Sequence, residues 1–199
     1  MTTFINVRED DWQLQLSNKY PGYQLWVHER SGLTFWRKST PFDNAEKVAI
    51  IVPFRDLQAE QKRTEQLNRF HPEMAEFLKK GEVPFKIFII EQSNDGRKFN
   101  RGKLLNVGFE IARSQGYNVF VLHDVDLIPS EGLLPFYVRP PSAPVHVARV
   151  WNRYSGNLNY FGGIVTYTTE QYEAINGYPN NYWGTLCSLL SSVRCLQRV

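Results

Sequence analysis

Three apolar runs constrain the fold of this chain more than any other feature. Residues 48–52 read VAIIV, residues 85–90 read FKIFII and residues 118–122 read NVFVL. The first, continuous and ending at Pro53, suits a strand buried on both faces of a parallel sheet, and the other two read as a second and a third strand. Between the first two, Leu67, Phe70, Met74, Phe77 and Leu78 recur at helical intervals within 58–80, and Gly81 closes the segment. His71-Pro72 is a point where that helix can bend or split. Residues 101–116, RGKLLNVGFEIARSQG, form a second helical segment that ends on glycine. The order β–α–β–α–β predicts a three-layer α/β/α domain with right-handed crossovers.

Such a domain collects ligands at the carboxyl ends of its strands. The first strand delivers PFRD (53–56), the second EQSNDGRKFNR (91–101) and the third HDVD (123–126). Asp124 and Asp126 flank Val125 just past a strand end, where a turning backbone need not send them to opposite faces. Two carboxylates there suit Mg²⁺ or Mn²⁺, hard cations that bridge to a diphosphate. His123 is a weaker candidate ligand. The plainer reading is a turn whose carboxylates serve no metal. Arg55 and Arg101, at the other two strand ends, have the fork geometry that grips phosphate oxygens. Surface pairing of Arg55 and Arg97 with Asp56 and Glu91 is the competing assignment. Asn94-Asp95-Gly96 predicts a turn that folds its loop back over the pocket. Phosphate loops of the GxxxxGK and GxGxxG types are absent, which sets aside ATPase and dinucleotide-dehydrogenase chemistry. A phosphohydrolase built on a D-x-D nucleophile fits poorly with Ile128-Pro129.

The chain has 199 residues, enough for one sizeable core, and a net charge of +3. That charge is compatible with a nucleotide ligand and too weak to argue for nucleic acid. The two cysteines, Cys187 and Cys195, make no disulfide framework. No run approaches the ~20 apolar residues of a membrane span. The start, MTTFINVREDD, has no leader character, so the chain taken literally is cytoplasmic. Residues 1–45 form an N-terminal extension in which 22–41 predict a hairpin turning at Ser31-Gly32. Its Trp26 and Trp36 are faintly similar to a proline-peptide-binding module, at the wrong spacing. Beyond Pro129, residues 139–150 read as a loop leading to a short strand. Thr169 is expected to cap a helix through EQYEAI, and Asn176-Gly177 to turn the chain. Phe161-Gly162-Gly163 permits close approach of a ligand or backbone. Tyr178, Tyr182 and Trp183 are expected on the surface, with Tyr160 and Trp183 facing a sugar or base. The alternative for these aromatics is a second small core.

PFR, FNRGKLLNVGF, HDVDLIP, YFGGI and INGYPNNYWG occur in the order and at the separations of the β-1,4-galactosyltransferase family. The chain resembles that family over 48–184. The resemblance implies a GT-A fold, in the Golgi, that transfers galactose from UDP-galactose to a carbohydrate acceptor with inversion and Mn²⁺. By matched motif it implies Phe54 beside the uridine, Arg55 and Arg101 on nucleotide and diphosphate, and Asp124 on the ribose side. Val125 falls in the same donor site, and Asp126 corresponds to the Mn²⁺ ligand. Tyr160 matches the position that selects the donor sugar, Gly162 and Gly163 line the sugar, and Trp183 opens a W-G-W-G-G-E-D-D motif. This sequence leaves that motif after Gly184. Residues 185–199, TLCSLLSSVRCLQRV, carry a helical stripe of Leu186, Leu189, Leu190, Val193 and Leu196 and no acid. The expected organisation is therefore an extension at 1–45, the donor half of a catalytic domain at 46–184, and a divergent tail. The general base of the family lies in what the tail replaces. The expected behaviour is binding of UDP-sugar with impaired transfer; the alternative is an inactive nucleotide-sugar-binding or partner protein.

Overall fold

A computed structural model describes residues 3–5, 12–15, 23–28, 34–38, 46–57, 61–155 and 160–184. Four short strands come first: β1 (Thr3–Ile5), β2 (Trp12–Gln15), β3 (Tyr23–His28) and β4 (Thr34–Lys38). β3 and β4 pair antiparallel, with Tyr23 opposite Lys38 and Val27 opposite Thr34. β2 adds to β3 as a third strand, which the two-strand expectation missed. The turn expected at Ser31-Gly32 lies outside the described residues, as do the tail 185–199 and both cysteines.

The apolar runs become β5 (Val48–Phe54), β6 (Phe85–Glu91) and β7 (Val119–His123), joined by α1 (Arg63–Lys79) and α2 (Arg101–Ser114). Then follow β8 (Leu127–Pro129), α3 (Leu134–Val138), β9 (Val145–His146), α4 (Asn152–Ser155), β10 (Ile164–Thr168) and α5 (Thr169–Ala174). The main sheet has the order β6-β5-β7-β10-β9. β5, β6 and β7 run parallel, with β5 and β7 buried throughout; β6 lies at the sheet edge, where only Phe88 is buried and Lys86 reaches solvent. β10 is antiparallel to both β7 and β9, so the sheet is mixed. β8 lies apart and pairs with β1.

Side chains alternate between two cores. Val48, Ile50, Val52 and Phe54 of β5 join Phe70, Met74, Phe77 and Leu78 of α1 on one face. Ala49 and Ile51 join Leu105, Phe109 and Ala112 of α2 on the other. Every residue of β5 is buried. Helices on both faces of a mixed sheet make the α/β/α layering expected of a GT-A-like domain.

α1 starts later than the periodicity predicts and runs unbroken through Pro72. An interior proline costs a helix about 3 kcal/mol or more. Four buried apolar side chains on the face that α1 turns to the sheet outweigh that cost at about 1.5–3 kcal/mol each. The start is fixed from outside the helix. Lys62 at the N-cap offers no capping bond from its side chain, and Asp56 just past the end of β5 accepts the Thr64 amide at 2.9 Å and its hydroxyl as well. The Thr64 hydroxyl, and then its amide, hold the Asp56 carboxyl below the usual carboxylate range. The α5 cap is Thr168 rather than Thr169, in a reciprocal capping box with Gln171.

α2 sits tightly on the sheet at Gly108. A Cβ there would stand 2.4 Å from Ile51 Cγ2 and 2.9 Å from Ile90 Cγ1. Alanine would add roughly 1 kcal/mol of helix propensity, against about 1–3 kcal/mol of overpacking. Ile51 is fully buried and cannot retreat, so Gly108→Ala is expected to lower the urea midpoint. A midpoint at or above the parent value would show that α2 shifts freely.

Candidate functional site

From β5 the chain crosses to β6 on one side, then returns past β5 to β7 on the other. The carboxyl ends of β5 and β7 therefore flank a topological switch point, where open α/β sheets place their ligands. A cleft of about 730 Å³ opens there.

β7 ends in His123, and the chain turns at once. The Asp124 carbonyl accepts the Leu127 amide at 3.2 Å, and the Asp124 amide donates to the Gly163 carbonyl at 3.0 Å. Val125 is anchored in the core under this turn, and both carboxylates reach the cleft wall. Arg101, the first residue of α2, places Nε 2.9 Å from Asp124 Oδ1, with Nη2 also 2.9 Å from that oxygen. The guanidinium is buried; Nη2 meets Asp124 as an ion pair off the hydrogen-bonding direction, and neither Nη1 nor Nη2 completes a hydrogen bond among the described residues. Such donors call for water or a ligand oxygen. Burial opposes the charge on Arg101, but Asp124 and the nearby Tyr178 outweigh it and raise its pKa. Burial pushes the Asp124 carboxyl up, Arg101 pulls it down and Asp126 adds to the rise, with a net upward shift. Asp126 accepts from Arg63 Nη1 at 3.0 Å.

His123 is not available as a ligand. Its Nδ1 donates to the Asp124 carbonyl at 2.9 Å, and its Nε2 accepts from the Tyr137 hydroxyl at 2.8 Å. Burial holds it down at about 4, so it is neutral and structural.

Phe54 and Arg55 line the cleft from the end of β5. Arg55 Nη1 donates to the Arg97 carbonyl at 2.8 Å and lies 5.5 Å over the Phe99 ring. Arg97 stands over Trp183 at 5.2 Å. The loop at 92–100 is held over this end of the sheet as the Asn94-Asp95-Gly96 turn predicts. Gln92 binds both the Lys98 carbonyl and the Asn100 amide, and the Phe99 carbonyl accepts the Gly184 amide at 2.8 Å.

Tyr160 lines the cleft and packs against His146, with ring centroids 5.9 Å apart. His146 Nε2 donates to the Gly162 carbonyl at 2.7 Å, and burial holds the imidazole neutral at about 4. Gly163 has φ 79°, a left-handed conformation that favours glycine. Gly162 and Gly163 act through their backbone behind the Asp124 turn and are not on the cleft wall. Trp183 also stands off the wall, 37% exposed, while Gly184 lines it. Tyr178, expected on the surface, is 2% exposed and joins the α2-side core.

Sequence reasoning missed Arg63, Lys98, Phe99, Trp151 and Arg153, all on the wall. Five cationic side chains (Arg55, Arg63, Lys98, Arg101 and Arg153) thus face two carboxylates. This imbalance suits a polyanionic ligand. Among the described residues, no group of three or more His, Cys, Asp or Glu side chains could hold a metal. Asp124 and Asp126 still offer the hard oxygens that suit a cation completing its shell with phosphates and water, rather than one enclosed in a protein cage.

Residues 31–137 match the family model described as the N-terminal region of glycosyl transferase group 7, and 142–184 match that for the N-terminal domain of galactosyltransferase. β-1,4-Galactosyltransferase 1 of Mus musculus is 41% identical over 142 residues, 69% of this chain and 33% of its own length. Its Bos taurus counterpart is 40% identical over 151 residues, 73% of this chain and 35% of its own. β-1,4-Galactosyltransferase 3 of Homo sapiens is 41% identical over 69% of this chain and 34% of its own length. The chain spans about a third of the length of these curated relatives. Among solved structures, a mutant Drosophila β-1,4-galactosyltransferase 7 in complex with manganese, UDP-Gal and xylobiose superposes with a TM-score of 0.62 at 35% identity. That match covers 76% of this chain and 62% of the other. Motifs, sheet order and family models agree that the chain belongs to glycosyl transferase group 7, the β-1,4-galactosyltransferase-like glycosyltransferases of GT-A fold.

Proposed function

We propose that this chain carries the donor-binding half of a β-1,4-galactosyltransferase. Its cleft takes UDP-galactose together with Mn²⁺, for transfer of galactose with inversion to a carbohydrate hydroxyl. One observation carries the reading: Asp124 and Asp126 sit among five cations at the switch point of the sheet. Arg55 and Arg101 hold the diphosphate, with Arg101 pre-positioned by Asp124. Phe54 and Val125 bound the nucleoside end. Tyr160 bounds the sugar end, backed by neutral His146 and by the Gly162-Gly163 backbone. Asp126, with the more open of the two carboxylates, holds the metal. Bound Mn²⁺ supplies charge stabilisation to the departing UDP.

The acceptor proton needs a base. Among the described residues, the cleft wall carries no carboxylate besides Asp124 and Asp126, and both are paired with arginine. That observation favours donor binding without efficient transfer by the described part, which is also the property of a nucleotide-sugar-binding protein. Golgi residence is part of the proposal through the family. No helix among the described residues is long and apolar enough to cross a membrane.

The test is calorimetric titration of UDP-galactose, with and without Mn²⁺, into the chain and into Asp126→Ala. Manganese-dependent binding that is lost in the variant is expected. Equal binding by the variant would remove Asp126 from the site, and no binding by either would sink the donor-site reading.

A further inference from the structure

Arg63 opens α1 and reaches across to the cleft. Its Nη1 donates to Asp126 Oδ2 at 3.0 Å and to Gln66 Oε1 at 2.9 Å. Gln66 lies one turn along α1 and is buried, so it steadies the guanidinium. The side chains of Arg63 and Asp126 are 30% and 35% exposed. The carboxylate assigned to the metal is therefore already neutralised by a cation of the chain. The other charges nearby are committed elsewhere: Asp124 to Arg101, Asp56 to the start of α1, and Lys62 to Glu65.

A divalent ion and a guanidinium on one carboxylate repel each other. An ion arriving at Asp126 competes with Arg63 for the carboxylate, and the phosphates of a bound nucleotide would accept the displaced charge. We propose that Arg63 is the resident counter-ion of Asp126: it holds the carboxylate in the empty cleft, yields it to the divalent cation, and then contacts the nucleotide phosphates. This rests on the donor-site reading above. Arg63 is a positioning residue for the carboxylate and a specificity residue for the pair of ligands. Metal alone then binds weakly, because it must break an ion pair. Metal and nucleotide bind with positive coupling, because the nucleotide accepts the displaced charge, and by linkage each tightens the other equally.

Mn²⁺ binding to the full chain is read from loss of the free-ion electron-spin-resonance signal, without nucleotide and then with saturating UDP. Arg63→Gln is expected to bind Mn²⁺ alone about fivefold tighter than the parent, the scale of one partly exposed ion pair. The tightening by UDP is expected to shrink by a similar factor. Gln66→Leu keeps the charge but frees the guanidinium, and it is expected to tighten Mn²⁺ alone by a smaller factor. It decides the question if Arg63→Gln does not fold. Unchanged or weaker Mn²⁺ binding in these variants, with parent coupling intact, overturns the counter-ion role and leaves the donor site standing. Parent chain that takes up neither Mn²⁺ nor UDP overturns the donor site and the counter-ion role together.

Discussion

Arg101→Leu is expected to destabilise the chain by about 3–5 kcal/mol and to abolish nucleotide-sugar binding in the same step. The size follows from what is left behind. Arg101 and Asp124 form a close pair with little solvent around the guanidinium, whose side chain is 10% exposed. Removing the cation strands a carboxylate that burial already pushes upward. The stranded group can escape only by taking a proton. Its folded pKa then lies further above the unfolded value, so stability is greatest at low pH and is lost as pH rises through that folded pKa. The deficit against the parent should therefore be larger at pH 7 than near pH 5. Asp124→Asn with Arg101→Leu removes both charges and is expected to recover much of the stability but none of the binding. Urea denaturation of the parent, Arg101→Leu and the double variant at two pH values, with calorimetry of UDP-galactose, measures both arms. A single variant within about 1 kcal/mol of the parent would place the pair in solvent-like surroundings.

The parts of this molecule that were legible in the sequence are those with local causes. β5 and β7 announce themselves because both faces of each strand are covered, which makes their runs apolar without interruption; β6, at the sheet edge, keeps its apolar residues but carries the exposed Lys86. Asp124, Asp126, Arg55 and Arg101 were found because a residue just past a strand end must lie at the sheet's carboxyl edge. What was missed depends on contacts far apart in the chain. β10 was hidden because Ile164–Thr168 follows two glycines that read as a ligand loop, and only pairing with β7 makes it a strand. The start of α1 is set by Asp56, outside the helix, and that start decides which way Arg63 points. Tyr178 sits among Gly, Pro and Asn, a surface-like composition, yet it is buried because α2 holds its backbone down.

The residue that holds it is Asn106, and Asn106→Ala is expected to cost about 2–4 kcal/mol and to loosen the whole 176–184 loop. One amide makes four hydrogen bonds to three residues. Its Nδ2 donates to the Tyr178 carbonyl at 2.6 Å and to Asn180 Oδ1 at 2.9 Å. Its Oδ1 accepts the Tyr172 hydroxyl at 2.7 Å and the Tyr178 amide at 2.9 Å. The loop fits closely around it: Gly177, at φ 63°, would put a Cβ 2.6 Å from Asn106 Oδ1. The loop ends at Gly184, which lines the cleft and bonds the Phe99 carbonyl. Loss of the amide should thus reach the cleft, raising the Kd for UDP-galactose as well as lowering stability. Aspartate separates the two halves of the amide. Asn106→Asp keeps both acceptor bonds but sets a carboxylate oxygen against the Tyr178 carbonyl and Asn180 Oδ1. At pH 7 it should be no more stable than the alanine variant. Repulsion raises the folded pKa of the new carboxyl, and its protonated form can donate again. Its stability relative to alanine should therefore improve as pH falls through that raised pKa, and be lost as pH rises. Urea titrations of the parent, Asn106→Ala and Asn106→Asp at pH 7 and pH 5 test this directly. A pH-independent gap between the two variants would show that the Nδ2 side carries nothing, and that the loop is held by its apolar contacts with α2.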